Sequence, residues 1–174
     1  STRHKATPAT HPDALLDVAS LVQASQTLSQ EIHLEALLEK LMRLAVSNAG
    51  AQRGVLLLAD SDDGARWTVE AALEDDLFQL ASLPLDSRAV RGMLVPGVVR
   101  MVQQSAQAVR LDNAMERGDF MQDPLVQARG LRSVLCLPLR GHGQQLRGAI
   151  YLENSLTQGA FTARHVALLE HLAT

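Results

Sequence analysis

The sequence has the length and composition of one globular domain. Its 174 residues are 47% hydrophobic, which is enough to build a core. A net charge of −3 and the lack of any lysine and arginine run argue against a nucleic-acid partner. The single cysteine, Cys136, excludes an internal disulfide, and no apolar run is long enough for membrane insertion. We therefore predict a disordered leader at residues 1–11 and a single cytoplasmic domain over residues 12–174.

Two helical patterns precede the first strand. Residues 12–30 carry apolar side chains on more than one face of a helix, which is more than packing on one domain requires. We predict that this helix also forms a homodimer, and the residues expected in the seam are Val18, Leu21, Val22 and Leu28. The second pattern runs from Leu34 to Ala45, and Gly50 stands where a left-handed residue ends a helix.

Three short segments have the composition of buried strands. Residues 55–59 are apolar on both sides, as expected for a central strand. Residues 133–139 and 148–152 flank a glycine-containing turn, so they predict an antiparallel hairpin. We expect these three strands to form the buried centre of one antiparallel sheet.

Two further strands are predicted beside the first one. In residues 67–71 apolar and polar side chains alternate, which predicts a strand that turns Trp67, Val69 and Ala71 to the core. A weaker pattern at residues 77–83 predicts a short third strand. Together with residues 55–59 they form a three-stranded meander.

The second half of the domain contains a helix, a candidate lid and a final helix. Pro96 begins a helix with apolar residues at helical spacing, and a short strand at 108–111 follows. Residues 112–132 have no long pattern, and such a segment in a compact domain is often functional, so we name it the lid. Residues 161–174 predict a helix that stops in mid-pattern at Thr174, as expected for a truncated longer helix.

The order of these elements resembles the GAF domain. The segments that carry the resemblance are LEALLEKLMRLAVSNAGAQRGVLLL, DPLVQARGLRSVLCLPL and LRGAIYLENSLTQGAFT. They are similar to the GAF modules of bacterial multidomain sensor histidine kinases. The resemblance implies an α+β fold with a six-stranded antiparallel sheet of order 3-2-1-6-5-4. It places the N- and C-terminal helices on one face and the Pro96 helix with the lid on the other, and it implies an adjoining kinase or output domain.

The residues that bind cyclic nucleotides in some GAF domains are mostly absent here. Those domains carry an Asn-Lys pair, a Phe and an Asp-Glu pair, and the matching positions are Asn154, Ser155, Phe161, His165 and Val166. The loss of the lysine and both acids removes the ion pairing that the motif implies. We therefore assign Asn154 to a turn and Phe161 to a hydrophobic staple.

Covalent cofactor attachment and redox turnover are also not indicated. Phytochrome-type GAF domains attach a bilin through a cysteine beside a histidine, whereas Cys136 stands between Leu135 and Leu137. GAF-fold reductases of methionine sulfoxide use two cysteines, and one thiol cannot close that cycle. All six histidines lack partners at metal-ligand spacing: His4 and His11 lie in the leader, and the others are His33, His142, His165 and His171. The sequence thus gives no evidence for bilin, haem or cyclic nucleotide, predicts no metal site and leaves the cofactor unknown.

Two functions remain open, a small-molecule sensor and a ligand-free dimerisation relay. A sensor would turn polar groups toward an apolar cavity between the sheet and the lid. The candidate pocket and lid residues are Asp119, Phe120, Asp123, Arg132 and Cys136. A relay would instead fill the cavity with Phe120, Met121 and Leu125. In either case we expect a non-catalytic regulatory domain that signals through its terminal helices.

Overall fold

The computed structural model describes residues 35–60 and 64–172. The chain divides into two compact units, residues 1–38 and residues 39–174. In the first unit the described residues, 35–38, are helical. The predicted leader and the predicted dimer helix at 12–30 lie outside the described residues, and with them the four residues proposed for its seam, Val18, Leu21, Val22 and Leu28.

The second unit contains four α-helices among its described residues. Residues 39–49 form α1, and Gly50 follows it with a φ of 66°, the left-handed conformation predicted for this position. The other helices are α2 (Pro96–Ser105), α3 (Pro124–Arg129) and α4 (Ala163–Leu172). Three short 3-10 helices cover Arg88–Gly92, Ala114–Glu116 and His142–Gln144.

Six strands form one antiparallel sheet. They are β1 (Arg53–Ala59), β2 (Trp67–Glu74), β3 (Leu77–Pro84), β4 (Val109–Leu111), β5 (Ser133–Arg140) and β6 (Leu146–Asn154). Their order is β3-β2-β1-β6-β5-β4, and each neighbouring pair is antiparallel. This order confirms the predicted topology. The predicted central strands, β1, β6 and β5, are adjacent in the sheet.

The alternation predicted for β2 is only partly right. Trp67 and Val69 pack in the cluster that faces the lid, as expected. The register then shifts by one residue, because Leu57 pairs with Val69 while Leu56 pairs with Ala71. This β-bulge turns Ala72, instead of Ala71, toward the same cluster. Ala71 is thus buried, as predicted, but on the opposite face of the sheet from Trp67 and Val69.

Each face of the sheet is covered by a separate apolar cluster. The lid-side cluster joins the sheet to α2 and the lid, and its largest members include Trp67, Tyr151, Phe120, Leu94 and Leu131. The helix-side cluster joins α1 and α4 to the other face, and it contains Ala45, Ala49, Leu135, Leu137, Leu152, Phe161 and Leu169. These two clusters confirm the predicted layers, with terminal helices on one face and the α2 helix with the lid on the other.

The start of α4 follows the predicted capping pattern. The Thr162 hydroxyl accepts a hydrogen bond from the His165 amide at 3.3 Å, and the Thr162 amide donates to His165 Nδ1 at 3.4 Å. Phe161 and Val166 both pack in the helix-side cluster, as a hydrophobic staple requires. No helix among the described residues combines the length and the apolar character of a membrane span.

Candidate functional site

The candidate site is a cleft between the start of α2 and the lid. Its volume is about 450 Å³, and it is lined by Arg91, Pro96, Gly97, Arg100, Asp119, Phe120, Asp123 and Pro124. Three of the five residues predicted for the pocket and lid therefore lie around one space. They are Asp119, Phe120 and Asp123.

Phe120 forms the apolar floor of this cleft. The residue is 6% exposed and belongs to the lid-side cluster. A Cβ atom at Gly97 would stand 3.2 Å from the Phe120 ring, so the glycine lets the ring lie close beneath the first turn of α2. The ring is thus part of the core and packs against α2.

The two acids of the cleft are placed differently from each other. Asp123 caps α3, because its Oδ1 accepts a hydrogen bond from the Leu125 amide at 2.8 Å. Asp119 is exposed, and its carboxylate lies 4.0 Å from the Arg117 guanidinium, a separation at which a surface pair contributes little. Only Asp119 is therefore available to a ligand without loss of a cap.

Two arginines of the cleft were missed by the reasoning from sequence. Arg91 follows Val90 in the short helix before α2, and Arg100 lies on the exposed side of α2. Neither guanidinium has a hydrogen bond or ion pair with another described residue. The helical spacing of apolar residues in α2 places Arg100 on the exposed face of the helix. The sequence gives no sign that Asp119 and Asp123 of the lid lie across the cleft from Arg100.

The remaining two candidates lie outside the cleft. Arg132 is exposed, and its main chain bonds to Ala114 and Asn154, whereas its side chain does not line the cleft. Cys136 is fully buried in β5, and burial raises the pKa of its thiol well above the ordinary value. A thiol held in its neutral form is a poor nucleophile. Cys136 therefore packs as a small hydrophobe, as its apolar neighbours predict.

The space between the sheet and the lid is filled by side chains. Phe120 and Leu125 are 6% and 7% exposed and pack in the lid-side cluster. Met121, the third residue predicted to fill this space, is 40% exposed and points elsewhere. Two of the three residues expected for a relay thus occupy the interior between the sheet and the lid.

A buried acid, Glu153, lies at the end of β6 beneath the lid. Its side chain is 0% exposed. Its Oε1 accepts hydrogen bonds from Arg53 Nη1, at 3.3 Å, and from Arg129 Nη1 of α3. Its Oε2 accepts a hydrogen bond from the Tyr151 hydroxyl at 2.9 Å. The carboxylate is therefore paired with two cations and one hydroxyl, as a buried charge requires.

The neighbours of Glu153 respond to its charge. Burial, the negative charge of Glu153 and the hydrogen bond to it raise the pKa of Tyr151 well above its ordinary value. For Arg53, burial lowers the pKa, but the hydrogen bond that its guanidinium donates to Glu74 and the charges of Glu74 and Glu153 outweigh it and raise the pKa overall. Tyr151 therefore keeps its proton and donates a hydrogen bond to Glu153, and its own oxygen accepts one from the Val95 amide at 3.2 Å.

Sequence reasoning also missed this cluster of charges. One local feature of the sequence does indicate it. Alternate residues of a strand face the same side, so Glu153 of β6 faces the lid-side core together with Ala149 and Tyr151. A charged residue at such a position requires buried partners. The partners themselves come from distant segments, since Arg53 lies 100 residues away and Arg129 lies 24 residues away.

The positions that match the cyclic-nucleotide motif have structural contacts. The Asn154 amide donates to the Gly50 carbonyl at 2.8 Å, and its Oδ1 accepts from the amides of Leu156 and Thr157. Phe161 is 1% exposed in the helix-side cluster. These contacts agree with the turn and staple roles predicted from sequence.

The described part of the chain contains no cluster of side chains suited to bind a metal ion. Among residues 35–60 and 64–172, no group of three or more His, Cys, Asp and Glu side chains could hold a metal ion. His165 is engaged at the start of α4. His33 lies outside the described residues, and the side chains of His142 and His171 are not described.

The strand order and the two covered faces of the sheet define an α+β domain of known type. The family model of the GAF domain matches residues 33–174. The chain therefore belongs to the GAF domain family, which confirms the resemblance noted in its sequence.

One curated relative connects the chain to signal transduction. The hybrid signal transduction histidine kinase G of Dictyostelium discoideum is 40% identical over 80 residues, which are 46% of this chain and 2% of that protein. The chain thus corresponds to a small fraction of the relative's length.

Solved structures agree on the fold. The GAF domain region of a protein from Geobacter sulfurreducens PCA superposes with a TM-score of 0.61 and 14% identity, covering 85% of this chain and 93% of that one. The GAF domain of an Acinetobacter phosphoenolpyruvate-protein phosphotransferase gives a TM-score of 0.57 and 19% identity, covering 88% and 87% of the two chains. At these identities the likeness concerns the fold alone.

Proposed function

We propose that this GAF domain is a non-catalytic regulatory module of a cytoplasmic, two-component signalling protein of the histidine kinase type. It acts as a dimerisation relay, in which the packing of the domain is coupled to helices that lead to an adjoining kinase or output domain. The observation that carries this proposal is the filled interior, where Phe120 and Leu125 take the space that a buried ligand would need.

The relay requires a homodimer. The helix predicted at residues 12–30 has apolar residues on more than one side, and a two-fold interface pairs the same surface of both copies. A parallel pair of such helices brings both output ends together. A change in helix packing then needs only about 1–3 kcal/mol of coupling to bias a downstream kinase.

Replacing Leu21 and Leu28 together by glutamate is expected to convert the dimer into a monomer. The two leucines are seven residues apart, so both carboxylates would enter one seam, and burying an unpaired charge there is costly. Sedimentation velocity measures the change in association state, and far-ultraviolet circular dichroism verifies that the fold is kept.

The matched control is Gln23→Glu with Gln30→Glu. These residues have the same seven-residue spacing and lie on roughly the opposite side of the helix, so they add equal charge outside the seam. The control protein is expected to remain a dimer. A monomeric unmutated chain at high concentration, or a leucine double variant that still dimerises, would exclude this interface.

A small-molecule sensor is the second candidate function. The cleft between α2 and the lid supports it, because Arg91 and Arg100 are without partners among the described residues and Asp119 is exposed. Such a set suits a small polar ligand that carries an anionic group. In this alternative the ligand binds outside the filled interior, at the outer side of Phe120.

A further inference from the structure

The residues around Glu153 connect the lid to the segment that follows α1. Arg129, in the last turn of α3, donates from Nη1 to Glu153 and from Nη2 to the Gly92 carbonyl, the latter at 2.5 Å. Its side chain is 18% exposed. One guanidinium therefore holds the lid helix against both β6 and the segment that leads into α2.

The end of β6 that carries Glu153 also forms hydrogen bonds with residues 50–52, directly after α1. The Glu153 carbonyl accepts from the Gln52 amide at 2.9 Å, and the Asn154 side chain donates to the Gly50 carbonyl at 2.8 Å. The Gln52 side chain accepts from the Ser155 amide at 2.7 Å. Gly50 is the left-handed residue that ends α1. Consecutive residues of one strand thus contact the lid and the end of α1.

A third connection reaches the start of α2. The Tyr151 hydroxyl donates to Glu153 and accepts from the Val95 amide, and Val95 is the N-cap residue of α2. The Glu153 carboxylate also accepts from Arg53 of β1, whose other contact is Glu74 at 2.7 Å. Because Arg129, Tyr151 and Arg53 share one buried carboxylate, a shift of one of these side chains changes the partners available to the other two.

We infer that Glu153 is a coupling residue that joins the docking of the lid to the C-terminal end of α1. Arg129 is the input to this coupling, and Glu153 and Asn154 of β6, with Ser155 directly after them, carry it to residues 50–52. The inference rests on the proposed relay function, since it names the residues through which a change at the lid reaches a helix on the other face of the sheet. If the Arg129 contact is lost, the buried carboxylate loses a cation, and both segments loosen together.

The test is hydrogen exchange measured by mass spectrometry on the full chain with Arg129→Met. We expect exchange to accelerate by about tenfold or more, corresponding to ~1.4 kcal/mol, at the Leu131 amide of the lid and at the amides of Ala51 and Gln52. These amides donate to Val126, Val46 and Glu153 respectively. The Leu85 amide, which donates to Trp67 away from this cluster, is expected to keep its rate.

Arg132→Met is the matched control. Arg132 is an exposed arginine three residues along the chain, and its side chain has no partner among the described residues. This variant is expected to leave every one of these rates within about twofold, since surface substitutions away from such contacts have small effects. Should Arg129→Met not fold, Arg129→Lys keeps the charge but loses the planar two-point contact, and the same two segments are expected to accelerate.

Two results would overturn the coupling. The first is acceleration confined to the lid, with Ala51 and Gln52 unchanged. The second is a uniform acceleration that includes Leu85, because Arg129 would then stabilise the whole fold instead of connecting two segments. Hydrogen exchange does not measure the oligomeric state. A failure of this coupling is therefore distinguishable from a failure of the proposed relay, which sedimentation of the dimer tests.

Discussion

Replacing Gly148 by alanine is expected to lower the free energy of unfolding by more than about 4 kcal/mol. Few single substitutions have so large an effect. A Cβ atom at this position would lie 2.0 Å from the Leu57 carbonyl oxygen and 3.0 Å from the Leu58 Cα. Both contacts are with the backbone of β1, which cannot rotate away. The central β1 and β6 pair, in which Leu58 faces Gly148, would have to separate.

Gly118→Ala provides the control for this substitution. A Cβ atom at Gly118 meets nothing within 4 Å, and its φ is not in the left-handed region. Its effect on the free energy of unfolding is expected to stay within about 0.5 kcal/mol. Urea denaturation followed by circular dichroism measures both variants. Equal midpoints for the two proteins would contradict the close approach of β6 to β1.

Replacing Phe120 by alanine is expected to lower the free energy of unfolding by about 3–5 kcal/mol. The ring is buried in the lid-side cluster beneath α2, so truncation leaves a cavity in the core. The lid thus contributes to the stability of the fold, as a packed relay requires. A lid that opened to admit ligands would lose much less when this side chain is removed.

Met121→Ala is the matched control for Phe120, because it is the next residue and is 40% exposed. Its expected cost is below about 1 kcal/mol. Urea denaturation compares the two variants, with equal slopes verifying that both unfold in the same way. If the two substitutions cost the same, Phe120 is not part of the core and the interior is not filled as described.

The strands were predictable where burial produces a pattern. Residues 55–59, 133–139 and 148–152 are apolar because both faces of the central sheet are covered, and the structure places them there. The pattern at 77–83 is weak for the opposite reason. In β3, an edge strand, Leu77 is 60% and Leu80 is 51% exposed, so burial does not enforce alternation.

The lid contains a short helix that its sequence pattern does not predict. Asp123, Pro124 and Gly130 interrupt any long pattern in residues 112–132, but they are the N-cap, the first residue and the left-handed C-cap residue of α3. The helix has only six residues, too few for an apolar period to identify it. Residues that interrupt a long pattern can therefore delimit a short helix.

The candidate site was predictable only in part, because its charged partners are distant in sequence. The lid residues Asp119, Phe120 and Asp123 were identified from their segment, and they line the cleft. Arg91 and Arg100 reach the same cleft from another segment, and no local pattern connects them to it. A long-range contact of this kind is set by the tertiary fold.

The choice between relay and sensor depends most directly on whether the chain retains a small molecule. Native mass spectrometry compares the mass of the folded protein with the mass after denaturation, against the 18.8 kDa expected for the polypeptide. The filled interior predicts that both masses correspond to the polypeptide alone, with the native species a multiple of it. A stoichiometric adduct that is released on denaturation, and that is lost in Arg100→Ala protein, would contradict the relay and establish the cleft as a ligand site.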